Sequence, residues 1–360
     1  MAKTLGIVST TYHLLVLLFL KESVLFDDDV DLIVTNKTEN MANLYKEGRF
    51  NEYFNRVYFA DATKIKNPYK SGLVTFFESF VYNGTTKKML DQKLDIYDKV
   101  FFAAPAMPDE MVKEIAKTLI RKNHKVTFHR FEDGFASYTK KPISIVNTSF
   151  GQKMYQRLFH YDILEMEKEL YLFEPFLIEE SVSESHFQKI KIVKDPISIN
   201  IVIGRAREIF QHINATFPEK YIFLGQGTKN SMQNPETYRS IIKSIAEQTG
   251  RDNFVIKPHP RGEYDQFDGL LKTYYDDSPF ELALAGGHLE DKVFISFYST
   301  ACVSGNLLFN SNAKVIFIYP LAADSFNEKC DYENYFQKLT ECYPNIYIAH
   351  TMKELISLIN

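Results

Sequence analysis

Glu132-Asp133-Gly134 closes an apolar run, where a carboxylate on a turn is placed for acid–base work. Gly134 can take a positive φ, so the turn can be tight. Asp133 held there can accept a proton from a sugar hydroxyl. The same residue types also make ordinary turns and helix caps, and that reading stands beside the catalytic one. Lys257-Pro258-His259-Pro260 is the second candidate. Both prolines fix φ, and Pro260 drives His259 toward extended backbone, so the imidazole is aimed by stiff chain. Such a ring can give a proton or a hydrogen bond to a departing phosphate. The plain alternative is a surface histidine on a proline-rich loop.

Ser299 and Thr300 follow Ser296-Phe297-Tyr298, where a strand should give way to a helix. Free N–H groups and the positive dipole end at a helix start attract anions. Either hydroxyl can instead cap the helix. Ser278-Pro279-Phe280-Glu281 reads as a capping box with proline at the first helical position. The functional alternative is that Glu281 binds the two hydroxyls of a ribose. Gly225-Gln226-Gly227 would let a ligand approach the backbone, but lacks the full dinucleotide fingerprint. Thr10 and His13 follow the first strand and can line an acceptor side together with Glu132; a satisfied core histidine is the other reading of His13. There is no Walker A motif, no Gly-x-Ser-x-Gly and no His-Glu-x-x-His. Asp27-Asp28-Asp29 and Asp276-Asp277 read as solvated loops, so no metal site is expected.

These residues need elements that bring them to one edge. Apolar runs of strand length alternate with helix-period stretches. Strands are expected at 4–9, 30–35, 56–59, 99–103 and 125–131, with helices at 12–22, 75–94 and 108–121. From about 150 to 194 the pattern loosens into a connecting region with a strand-like piece at 170–173. Alternation then resumes, with strands at 221–224, 254–257, 293–296 and 315–319 and helices at 235–248, 335–342 and 352–359. This order predicts parallel sheets covered on both faces, with active residues at the carboxyl ends of the strands. The expected organisation is two Rossmann-like domains facing a central cleft, over 1–185 and 186–360, with the last helix packing back on the first domain. That is the α/β architecture of GT-B glycosyltransferases and of other two-domain α/β proteins.

Composition narrows the classes. The 360 residues are 45% hydrophobic and 24% charged, which excludes wholesale disorder and leaves ample core. A net charge of −4 argues against a nucleic-acid partner. Cys302, Cys330 and Cys342 form no disulfide framework or zinc ribbon and read as thiols in a reducing compartment. The apolar run at 14–20 is too short to span a bilayer, so a cytoplasmic protein is expected. Composition leaves room for a peripheral contact with a membrane surface.

The order of the motifs says more than any one of them. An acidic-Asp-Gly turn, then Lys-Pro-His-Pro, then Pro-x-Glu, then a Ser/Thr pair resembles the bacterial sialyltransferases. Glycosyltransferase family 52, with its lipooligosaccharide and capsule enzymes, is the resemblance we name. Thr300 stands where that pattern has a second Ser or Thr, keeping the hydroxyl. No acceptor-side motif can be matched. The resemblance implies that Asp133 is the general base and His259 the general acid or phosphate-stabilising group. It implies that Glu281 binds the ribose, that Ser299 and Thr300 bind phosphate, and that Gly225, Gln226, Gly227, Lys257 and Pro258 lie on the donor side. The implied donor is CMP-sialic acid, with inversion, no metal or other cofactor, and a galactose-terminated acceptor joined through an α2,3 linkage. That family includes dimers, so a homodimer is compatible with it. Two other readings stay open. One is a GT-B transferase using CDP-glycerol or another nucleotide sugar. The other is a non-catalytic nucleotide- or glycan-binding module.

Overall fold

The computed structural model describes residues 2–36, 38–61, 93–103, 110–140, 166–183, 185–211, 217–226, 233–259, 267, 269–274, 280–286, 289–325 and 333–359. The expected helix at 75–94 falls almost wholly outside them. The chain divides into two compact units, Met1–Phe210 and Gln211–Asn360.

The first unit is built on β1 (Lys3–Val8), β2 (Asp29–Thr35), β3 (Val57–Ala60), β4 (Lys99–Ala103), β5 (Thr127–Phe131), β6 (Glu167–Leu172) and β7 (Gln188–Lys191). They form one parallel sheet in the order β3-β2-β1-β4-β5-β6-β7. Its helices are α1 (Thr11–Lys21), α2 (Glu39–Lys46), α3 (Glu110–Lys122), the short α4 (Ala136–Thr139) and α5 (Glu180–Ser183), and α6 (Pro196–Phe210). On one face, Leu5, Ile7, Val100, Phe102 and Phe128 pack against Met111, Ile115, Ala116 and Leu119 of α3. α1 is different in kind: every residue from His13 to Leu20 is buried, so it is a core helix rather than an amphipathic one. Each of its leucines contributes roughly 2 kcal/mol of burial. Gly6 lets it sit close to β1, because a Cβ there would meet Leu17 Cδ2 at 2.5 Å.

The unit boundary lies after Phe210, beyond the expected break at 185. The expected connecting region supplies two strands of the first sheet, β6 and β7. α6 then packs on α1, held by the Arg205–Glu22 ion pair. Asp195 starts α6 by accepting the N–H groups of Ile197 and Ser198 at 2.8 and 2.9 Å.

The second unit carries β8 (Tyr221–Leu224), β9 (Phe254–Lys257), β10 (Val293–Ser296), β11 (Lys314–Phe317) and β12 (Ile346–Ile348). These are also parallel, in the order β12-β11-β10-β8-β9. Its helices are α7 (Pro235–Thr249), α8 (Phe280–Gly286), α9 (Ser304–Phe309), α10 (Glu333–Cys342) and α11 (Met352–Ile359). Asn234 caps α7 by accepting from Thr237 N–H at 3.2 Å, and Gly250 ends it at φ 80°. The last helix packs within the second unit. Leu355 and Ile359 of α11 lie in the second core with Phe223, Ile256 and Ile316, and the Tyr221 hydroxyl donates to the Ile359 carbonyl at 2.9 Å.

Both sheets reverse their strand order, at β1/β4 in the first unit and at β8/β10 in the second. In open parallel sheets such points, at the carboxyl ends of the strands, are where ligands bind. Among the described residues no helix is long and apolar enough to cross a membrane.

Candidate active site

In the first unit the site begins where β5 ends. Gly134 takes φ 75°, and a Cβ there would meet nothing within 4 Å, so backbone conformation rather than space calls for glycine. Asp133 N–H donates to the Ser137 hydroxyl at 2.7 Å, closing the turn onto α4. On the neighbouring side, Thr10 caps α1 by accepting from His13 N–H at 3.2 Å. That cap sets the first turn of α1 and aims the His13 ring at Asp133.

His13 Nδ1 accepts from Ser9 N–H at 3.3 Å. Its Nε2 therefore carries the hydrogen and donates to Asp133 Oδ1. The Phe131 ring packs edge-on against the imidazole at 6.1 Å between centroids. The His13 side chain is 5% exposed and the Asp133 side chain 28%, so the carboxylate is the member of the pair that a substrate can reach.

Glu132 was expected on the acceptor side. It is fully buried and accepts from the hydroxyls of Tyr12 and Tyr138 and from Phe173 N–H at 2.9 Å. Burial pushes its carboxyl up to about 7 from the ordinary 4.5, against the pull of those three donors. Tyr138 in turn accepts from Glu174 N–H at 3.2 Å. Glu132 is thus the hub that ties α1, α4 and the chain after β6 to the end of β5. Thr10 serves as the α1 cap.

In the second unit the hub is Ser296, at the end of β10. Its buried Oγ donates to the Leu224 carbonyl at 2.7 Å. It accepts from Gln226 Nε2 at 2.5 Å and from Ser299 N–H at 3.1 Å. Gln226 is buried with it, so this residue braces the β8/β10 reversal. Gly225 N–H donates to the Lys257 carbonyl at 2.9 Å, joining the ends of β8 and β9. Ser299 and Thr300 are partly exposed, and Ser299 precedes a 3-10 turn, Thr300–Val303, without giving it a side-chain cap. The capping reading of the Ser299 hydroxyl is therefore set aside.

Lys257, Pro258 and His259 follow β9 in partly exposed positions. The Lys257 ammonium lies over the Tyr274 ring at 5.3 Å. Glu281 stands in the first turn of α8. It keeps some surface, yet its surroundings are dense enough for burial to push its carboxyl above the usual range, against its own N–H and the charge of Lys257. Gly227, Pro260 and the Ser278-Pro279 start of the expected capping box lie outside the described residues.

The structure brings together His13 with Asp133 in one unit, and Gln226 with the Ser299 turn in the other. Ser9, Tyr12, Tyr138 and Ser296 were not candidates. Ser9 and Ser296 stand at strand ends, and the Tyr12–Glu132 and Ser296–Leu224 bonds join segments remote in sequence. Among the described residues no group of three or more His, Cys, Asp or Glu side chains is disposed to hold a metal ion.

Comparison with known proteins adds the family. No curated protein matches the chain. Among solved structures, a UDP-GlcNAc 2-epimerase from Methanocaldococcus jannaschii is similar at TM-score 0.56 and 13% identity, over 99% of this chain and 91% of that one. Its complex with UDP-GlcNAc and UDP gives 0.51 and 14%, over 99% and 91%. An alpha/beta-galactoside alpha-2,3-sialyltransferase from Photobacterium phosphoreum gives 0.48 and 12%, over 96% and 98%, too distant to carry weight. At these identities the likeness is one of fold, and the fold is GT-B-like. The family model for alpha-2,8-polysialyltransferases matches residues 4–317, spanning both units and every motif named above. The chain belongs to the alpha-2,8-polysialyltransferase family.

Proposed function

We propose that the protein is an inverting sialyltransferase that moves sialic acid from CMP-sialic acid to a glycan hydroxyl. The observation that carries this reading is Asp133, a reachable carboxylate held in one orientation by His13 in a chain of this family. In the reaction the acceptor oxygen attacks the anomeric carbon as its bond to the CMP phosphate oxygen breaks. The acceptor's proton passes to Asp133, and the bonding pair leaves with CMP. His259 gives a proton or hydrogen bond to the departing phosphate, for which a group titrating near neutrality is suited. Ser299 and Thr300 hydroxyls add hydrogen bonds to the same charge, so no metal ion is required. Glu281 accepts hydrogen bonds from the ribose hydroxyls.

The family's description favours an acceptor ending in sialic acid, joined through an α2,8 linkage. A galactose end joined through α2,3 is the expectation from the motifs. Thermal shifts with CMP, CDP and UDP, followed by transfer assays on sialyllactose and on lactose, separate these. Protection by CMP and elongation of sialyllactose is the result we expect. Protection by UDP or CDP alone would replace the donor. Elongation of lactose alone would replace the acceptor.

A further inference from the structure

We propose that His13 is a positioning residue for Asp133, acting as a neutral hydrogen-bond donor and never as the base itself. The proposal rests on the reading of Asp133 as the group that takes the acceptor's proton. Both ring nitrogens of His13 are committed within the protein: Nδ1 to Ser9 N–H at 3.3 Å and Nε2 to Asp133 Oδ1. A ring so engaged has no nitrogen left for a substrate hydroxyl. Its tautomer is set by the backbone, because only a bare Nδ1 can accept from Ser9 N–H. A hydrogen on Nδ1 would point at the Ser9 N–H.

Two consequences follow for Asp133. Its Oδ1 is tied down, and the acceptor's proton goes to Oδ2. Its charge meets a neutral donor rather than a cation, which orients the carboxylate without neutralising it. The residue is also held by the Thr10 cap on the His13 backbone N–H, and its ring by the T-shaped contact with Phe131. A carboxylate swung out of line by about 1 Å costs on the order of 100-fold in rate.

The test compares His13→Ala, His13→Gln and Asp133→Asn in the full chain, with CMP-sialic acid and acceptor. A glutamine amide can present an N–H near the place of Nε2. His13→Ala should lower kcat by on the order of 100-fold and leave the KM for CMP-sialic acid within about twofold, and His13→Gln should recover at least about tenfold of that loss. Equal loss in both variants would overturn the proposal, since the ring itself would then be needed as base. Unchanged kcat in His13→Ala would also overturn it. Asp133→Asn reports on the underlying reading alone: retained kcat there removes Asp133 from the base role whatever His13 does. Nitrogen-15 spectra of the histidines in the unsubstituted protein test the same proposal without a variant. They should show a neutral Nε2–H ring for His13 at pH 7; an Nδ1–H ring or an imidazolium would contradict it.

Discussion

The Tyr12 hydroxyl donates to the Glu132 carboxylate across 120 positions of chain, one residue ahead of His13 and one ahead of Asp133 on the two sides. The two bonds run side by side between the first turn of α1 and the end of β5. A parallel sheet makes this possible, because β1, β4 and β5 are neighbours with their carboxyl ends at one edge. In each bond one member is buried, Glu132 in the first and His13 in the second, and Asp133 is the carboxylate left partly exposed.

Asp133→Asn is the cleanest probe of that division. Asparagine keeps an oxygen to accept from His13, so the variant should fold and melt like the unsubstituted protein. It should lose about 100- to 10,000-fold in sialyl transfer, the range for removing a positioned general base. Product formation by chromatography, with circular dichroism for the fold, checks both halves.

Glu132 should leave a signature in stability. Its folded-state carboxyl titrates at about 7 against an ordinary 4.5. Between those values the folded chain holds a proton that the unfolded chain has released, so stability falls as pH rises through this window. The loss is on the order of 3 kcal/mol at 1.36 kcal/mol per unit. Glu132→Gln has nothing to titrate there. Urea denaturation at pH 5 and pH 7.5 should show the variant gaining on the unsubstituted protein at the higher pH. Parallel behaviour at the two pH values would contradict the assignment.

Ser296→Ala removes one acceptor for two donors and one donor for the Leu224 carbonyl. The buried Gln226 amide is left unpaired, which costs about 1–3 kcal/mol. The urea midpoint should fall accordingly. CMP affinity should fall with it, because the Ser299 turn loses its tether.

Glu281 can recognise ribose hydroxyls as an acceptor pair only when ionised. Burial raises its carboxyl above the ordinary range, so CMP affinity should weaken on acidification earlier than an ordinary glutamate would allow. Glu281→Gln should bind more weakly and lose that pH dependence. Titration calorimetry between pH 5 and 8 reads both.

Much of the fold was legible. β4, β8, β9 and β10 occupy the residues that their apolar runs marked, since buried parallel strands are apolar on both faces. α6 was not legible, because Ile197, Ile199 and Ile201 alternate with polar residues at a strand's period. The burial of Val202, Ala206 and Ile209 and the Asp195 cap make it a helix instead. β7 reads Gln-Lys-Ile-Lys, and a partly exposed edge strand carries little apolar signal. In the site, the motif residues were visible one by one, but their partners were not. Glu132 read as an acceptor-side residue because its two tyrosines and the Phe173 N–H come from three separate segments. His13 read equally as core or as acceptor-side residue; it is buried, and its place depends on Ser9 and Asp133 together.

Transfer from CMP-sialic acid with Asp133 as base makes a single assay decisive. The most direct measurement is CMP release from CMP-sialic acid, with sialyllactose present or absent, in EDTA, for the unsubstituted protein and Asp133→Asn. Acceptor-stimulated release with an elongated product, abolished in Asp133→Asn, is the predicted result. Equal release by the two proteins, or no release and no CMP binding by either, would contradict the account.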